Sequence, residues 1–143
     1  MTLISIRERG TLTVDDRGPG IETGAIVHRA RAVVVATGAA PVTLGLAVDG
    51  VRILTSDHAL RLESLPERAV VLGGGVIGVE FASLWADLGV AVTLVEAMDR
   101  LLPAEEPGHS RILARALKGR GVDLRLGVAV DSAEATDDGV AVR

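Results

Sequence analysis

"VVLGGGVIGVEFASLWADLGVAVTLVE", residues Val70–Glu96, is the stretch whose reading decides the fold. It opens, from Ala69, on a short apolar run that reads as a strand buried on both faces. Three adjacent glycines break the run. A helix is expected next, with Ile77, Phe81, Leu84 and Leu88 along one face at helical spacing and Gly89 as its terminator. "VAVTLVE" then reads as a second buried strand, closed by the acidic Glu96.

Gly73, Gly75 and Gly78 fit G-x-G-x-x-G at this strand-to-helix junction, with Ala82 four residues further on. In such a loop the first glycine permits a tight turn. The second leaves the backbone bare where a pyrophosphate would lie, and the third lets helix and strand approach closely. Free N–H groups and the positive end of the helix dipole face the phosphates. Glu96 stands about twenty residues on, at the end of the following strand, where a carboxylate accepts hydrogen bonds from ribose hydroxyls and repels a 2′-phosphate. The pattern therefore points to NAD rather than NADP. Arg100 leaves two readings open, a solvated loop charge or a partner for a 2′-phosphate.

Outward from this stretch the alternation continues. A second helix is expected over roughly 105–120, with Ile112, Leu113, Ala116 and Leu117 as its apolar stripe and Gly121 as its stop. "VDLRLGVAV" (122–130) reads as a third strand, and "DDG" (137–139) as a hairpin turn before "VAVR". Strand, helix, strand, helix, strand implies an α/β fold with a parallel sheet. Upstream, "TLISI" (2–6), "TLTV" (11–14) and "AIVH" (25–28) read as short strands, with turns at Gly10 and "DDRGPG" (15–20). "AVVVA" (32–36) reads as a buried strand stopped by "TGAAP". Residues 42–68 read as a connector, with a short helix near "TSDHAL" capped by Thr55 or Ser56.

The bulk numbers bound the function. The chain has 143 residues, 48% of them apolar, enough for an ordinary domain with a core. A net charge of −4 with interspersed signs is not the basic footprint a nucleic-acid partner needs. Charges interrupt every apolar run short of a membrane span. The first ten residues lack a signal-peptide core, so a cytoplasmic location is expected. The absence of cysteine leaves this chain no disulfide frame, thiolate metal site or redox thiol. No metal site and no catalytic residue are expected; His28, His58 and His109 read as surface or capping residues.

"VVVATGAAP" (33–41), "LTSDHALRLESLPERAVVLGGGVIGVEFASLWADLG" (54–89), "VTLVEAMDRLLPAEE" (92–106) and "ALKGRGVDL" (116–124) together resemble the flavin-dependent pyridine nucleotide–disulfide oxidoreductases, and within them the dihydrolipoamide dehydrogenase branch. The likeness runs over nearly the whole chain. It implies a Rossmann-type dinucleotide-binding domain preceded by the β-rich tail of an FAD-binding domain: residues 1–41 for that tail, 42–68 for the connector and 69–143 for an NAD-binding domain whose final parallel strand is expected after Arg143. It implies that Thr37, Gly38 and Ala39 lie against FAD. Gly73, Gly74, Gly75, Val76, Ile77, Gly78, Val79 and Glu80 would form the NAD pyrophosphate loop, with Glu96 on the adenosine ribose and a Val130 backbone contact near the adenine. Glu80 has two readings, a carboxylate approaching the flavin or an exposed helix residue. By the same resemblance the partners are NAD(H), a second subunit in a homodimer and lipoyl-bearing 2-oxoacid dehydrogenase complexes. Relatives carry a C-x-x-x-x-C pair and a His–Glu acid/base pair, and neither is found in these residues. Three functions stay open: an NAD-linked disulfide oxidoreductase whose NAD-binding portion this chain supplies, a bare NAD-binding module, and a non-catalytic remnant of a truncated or split gene.

Overall fold

The computed structural model describes residues 8–143, which fall into two packed units divided between Ala40 and Pro41. The strand expected over 2–6 lies outside the described residues.

In the first unit β1 (Thr11–Asp15), β2 (Gly18–Thr23) and β3 (Ile26–Arg29) form an antiparallel meander in that order. "DDRGPG", expected to be turn throughout, turns only at Asp16 and Arg17. Gly18 pairs with Asp15 and Pro19 with Val14, so the rest of the segment is strand. Gly18 takes a left-handed φ of 97°, which brings the chain back into register at once. Asp15 fixes this turn. It accepts a hydrogen bond from the Arg17 N–H at 2.9 Å and a forked pair from the Arg29 guanidinium at 2.7 and 2.5 Å. Arg29, then Arg17, hold its carboxyl below the ordinary range.

"AVVVA" is not a strand. Val34 and Val35 are exposed, and no described strand lies beside them. An extended run becomes a buried strand only when neighbours take up its N–H and C=O groups and cover its faces.

The second unit carries the α/β fold. After a turn built on Asp49, helix α1 (Ser56–Ala59) begins at the N-cap Thr55, whose N–H and hydroxyl both meet His58 Nδ1 at 3.2 and 2.9 Å. Then follow β4 (Arg68–Leu72), α2 (Val76–Asp87), β5 (Ala91–Glu96), α3 (Pro107–Gly119) and β6 (Asp123–Leu126). The three strands are parallel in the order β4-β5-β6, with Arg68 opposite Ala91 and Thr93 opposite Asp123. Hairpin β7 (Ala133–Thr136) and β8 (Gly139–Val142) turns at Asp137–Asp138 as expected.

Both helices return to the sheet by one device. Gly89 and Gly121 are left-handed, at φ 87° and 86°. Gly89 N–H donates to the Ala86 carbonyl and Val90 N–H to that of Trp85; Gly121 and Val122 repeat the pattern on Lys118 and Leu117. This is the Schellman arrangement, and the residue after each glycine, Val90 or Val122, is buried in the core as the motif favours.

The core comprises Val71, Val79, Ala82, Trp85, Val90, Val92, Leu94, Leu101, Leu117 and Val122. The buried side of α2 is Val79, Ala82 and Trp85, not the expected Ile77, Leu84 and Leu88, which are half or more exposed; Phe81 is half-buried against Trp85, ring centroids 5.4 Å apart. The polar residues Glu80, Ser83 and Asp87 share one stripe opposite this buried side, and the expected face ran alongside that stripe rather than opposite it. Close approach to the sheet chose it, because Gly78 and Ala82 carry the least bulk. In α3 the inner face runs Ser110, Leu113, Ala114 and Leu117, while Ile112 and Ala116 face outward, contrary to expectation.

Candidate functional site

β4 and β5 run side by side and in the same direction, so the loop after β4 and the last residue of β5 meet at one edge of the sheet. Gly73 N–H still donates to the Val95 carbonyl at 2.8 Å, as a continuation of the ladder. Gly73 then takes φ 103°, open to glycine with little strain, and the chain turns toward α2.

Each glycine has its own reason. A Cβ on Gly78 would overlap the Gly73 carbonyl oxygen, so this glycine permits the helix to cross close above the turn. A Cβ on Gly74 would stand 2.7 Å from Leu101 Cδ2 and 3.1 Å from Glu96 Cβ. Gly75 is different. Its φ of −72° suits any residue, and a Cβ there would meet no atom within 4 Å among the described residues beyond its chain neighbours. Nothing among the described residues demands glycine at 75. The bare backbone faces open space at the start of α2, where no side chain caps the helix and no acidic residue sits in the first turn. The N–H groups of Val76 and Ile77 have no carbonyl one turn back. Open space, free donors and an uncompensated helix dipole are what a pyrophosphate requires, so the residues present fit a dinucleotide.

Glu96 is half-buried and already engaged. Oε2 accepts the Gly74 N–H at 2.5 Å and Oε1 accepts the Met98 N–H at 2.7 Å. A carboxylate offers about four lone-pair positions, so each oxygen retains capacity for a hydroxyl donor. Arg100, the residue with two open readings, is held within its own turn: its guanidinium donates to the carbonyls of Pro103 at 2.6 Å and Glu105 at 3.3 Å.

The structure thus brings Gly73, Gly74, Gly75, Gly78 and Glu96 together, with Val76, Ile77 and Val79 in the first turn of α2. Glu80 lies on the exposed side of that helix, without a polar partner among the described residues. Val130 does not end a strand: β6 stops at Leu126, Gly127 turns at φ 71°, and Val130 follows in an irregular, half-buried position. Thr37, Gly38 and Ala39 belong to the first unit, where all three are exposed and Gly38 turns the chain at φ 80°. By themselves they form no cradle. Among the described residues no group of His, Asp and Glu is arranged to hold a metal ion. His28 bonds Thr23 Oγ1, His58 caps α1, and His109 is exposed.

Sequence reasoning missed the floor of the loop. Leu101 is fully buried beneath Gly74, Leu102 N–H donates to the Gly74 carbonyl at 2.8 Å, and Ser110 Oγ donates to the Leu101 carbonyl at 2.5 Å. One signal was available, a lone serine on the apolar face of α3.

With this geometry in place, comparison with known proteins is decisive at the level of family. The model of the pyridine nucleotide-disulphide oxidoreductases matches residues 4–143. The chain belongs to that family. Members of the pyridine nucleotide-disulphide oxidoreductase family use FAD with NAD or NADP. The dihydrolipoyl dehydrogenase of Bacillus subtilis is 41% identical over 137 residues, which cover 94% of this chain and 28% of that one. Among solved structures, LpdA from Mycobacterium tuberculosis superposes with a TM-score of 0.72 at 34% identity, over 96% of this chain and 32% of its own. The HOCl-induced flavoprotein disulfide reductase RclA of Escherichia coli gives 0.56 at 38% identity, over 60% and 20%. The chain therefore spans less than a third of the relatives it matches. The mixed α/β architecture with a parallel Rossmann-type sheet is common to them.

Proposed function

We propose that this chain supplies the NAD-binding portion of an FAD-dependent disulfide oxidoreductase of the dihydrolipoyl dehydrogenase type. The observation that carries the reading is Gly75, a glycine with neither a steric nor a conformational need inside the protein, set at the open N-terminus of α2.

In this reading the backbone N–H groups from Gly75 onward hold the pyrophosphate of NAD(H), with Gly73, Gly74, Val76, Ile77, Gly78, Val79 and Glu80 forming the rest of the loop. Glu96 uses its remaining lone pairs to accept the adenosine ribose hydroxyls, and Val130 lends a backbone contact near the adenine. Arg100, tied to its own turn, is withheld from a 2′-phosphate, which the Glu96 carboxylate would also repel. NAD(H) held there would supply hydride-transfer chemistry. Thr37, Gly38 and Ala39 contribute one edge of the flavin site. The exposure of Glu80 leaves it free to approach that site, or to remain a solvated helix residue.

The division after Ala40 supports assigning residues 1–41 to an FAD domain. Residues 42–68 serve as connector and 69–143 as the NAD domain. A homodimer, lipoyl-bearing 2-oxoacid dehydrogenase complexes and a cytoplasmic location belong to the same reading; no helix among the described residues is long and apolar enough to cross a membrane. With no cysteine, the chain alone has no thiolate to form a mixed disulfide with lipoamide, and it turns over none.

The test is a calorimetric titration of the chain with NADH and with NADPH. NADH is expected to bind at least about tenfold more tightly, the scale of hydrogen bonds to a charged acceptor. Equal or tighter NADPH binding would overturn the assignment of Glu96. Lipoamide-dependent NADH oxidation by the chain alone would overturn its dependence on other segments.

A further inference from the structure

We infer that Ser110 is a positioning residue for the glycine loop, acting through Leu101 and Leu102 on the Gly74 peptide. The effect on ligand affinity rests on the nucleotide reading above; the effect on loop order does not.

Gly74 is gripped from both sides. Its N–H is taken by Glu96 and its carbonyl by the Leu102 N–H, while the Leu101 side chain closes the space beneath it. The direction of the Gly74 peptide sets that of the next N–H groups, the ones facing the open N-terminus of α2. The Leu102 grip is demanding. Leu102 holds a left-handed φ of 48°, a conformation a leucine adopts only where its surroundings impose it.

Ser110 is what imposes it from below. It is 3% exposed and stands at the first position of the inner face 110, 113, 114, 117 of α3. The other three positions are apolar, and alanine would fill the space of a serine there. A buried hydroxyl among them is unfavourable unless bonded. Its bond, 2.5 Å to the Leu101 carbonyl, fixes the peptide that joins Leu101 to Leu102, and no other side chain donates to that carbonyl among the described residues. The remaining braces of the segment, Arg100 on the carbonyls of Pro103 and Glu105 and the Glu105 N–H on the Leu102 carbonyl, act on the peptides that follow Leu102 and not on the one that joins it to Leu101. α3 thus holds the loop across the width of the segment that joins β5 to it.

Amide hydrogen exchange and NADH titration test this on Ser110→Ala, with Leu113→Ala as a control that weakens the same helix while leaving the hydrogen bond to the Leu101 carbonyl in place. Ser110→Ala is expected to speed exchange at the Gly74 and Leu102 amides and to raise the NADH dissociation constant about tenfold. Leu113→Ala, compared at equal distance below its melting temperature, should leave both amides protected. Ser110→Thr, which restores the hydroxyl, should restore protection. Should Ser110→Ala not fold, Ser110→Cys keeps the volume with a weaker donor and is read in the same way. Unchanged exchange at Gly74 and Leu102, or equal loosening in Leu113→Ala, would overturn the inference. Absence of NADH binding by the parent chain would defeat the nucleotide reading alone, since the exchange measurement decides the role of Ser110 without ligand.

Discussion

The two units use β-structure in opposite ways. In the meander β1–β3, Leu12, Val14 and Ile26 are all more than half exposed, and Thr23 and Gly20 are its only buried residues among those described. In the parallel sheet β4–β6, Val92 and Leu94 are buried on the central strand and α2 closes over them. The difference is one of layers. A sheet gains little from its apolar residues until a second layer covers them. Helices connect the parallel strands and supply that layer within the chain, whereas the hairpins of the meander supply none.

The sharpest way to break this comparison is to truncate one leucine in each unit. Leu94→Ala, at a fully buried position, should cost about 2–5 kcal/mol and lower the melting temperature of the second unit. Leu12→Ala should change stability by less than about 0.5 kcal/mol. Equal effects in thermal unfolding would mean that the meander has a core of its own.

Gly78→Ala comes next. The new Cβ would overlap a backbone oxygen rather than a yielding side chain, so a loss of about 1–3 kcal/mol is expected in chemical denaturation. A neutral outcome would show that α2 can ride higher on the sheet than its Gly78–Gly73 contact implies.

The smallest effect concerns acid. Asp49 accepts the N–H groups of Val51, Ile53 and Arg52, each at 2.8 Å, and these bonds hold its carboxyl below the ordinary range. The turn they form aims the Arg52 guanidinium at the carbonyls of Thr136, Asp137 and Gly139 in the β7–β8 hairpin. A depressed value means that the folded protein binds its proton later than the unfolded chain. The stabilisation is therefore present above the ordinary carboxylate range and is lost as pH falls through the lowered value. Asp49→Asn should flatten the acid limb of stability plotted against pH. An unchanged limb would remove Asp49 from the account.

The contrast between the units also explains what could be read from the residues. Gly73–Gly78 and Glu96 were legible because their spacing answers to a local geometry, one turn between a strand and a helix. The helix stops at Gly89 and Gly121 and the Asp137–Asp138 hairpin were legible for the same reason. The inner face of α2 was misjudged because Ile77, Leu84 and Leu88 are as apolar as Val79 and Trp85, and the signal that separates them is the polar stripe Glu80, Ser83 and Asp87 on the opposite side. "AVVVA" carries every mark of a buried strand except a neighbour, and no neighbour is written in those five residues. Ser110 and Leu101 escaped notice because they reach the glycine loop from about 30 residues downstream by folding rather than by spacing.

The central claim is that glycine stands at 75 for the sake of a ligand, and Gly75→Val tests it most directly. NADH titration and thermal unfolding of this variant beside the parent chain should give a melting temperature near that of the parent, because a side chain at 75 meets open space at an ordinary φ. NADH binding should be lost, because the proposed function places the pyrophosphate in that space. Retained affinity in the folded variant would contradict the account and reduce the loop to a structural turn.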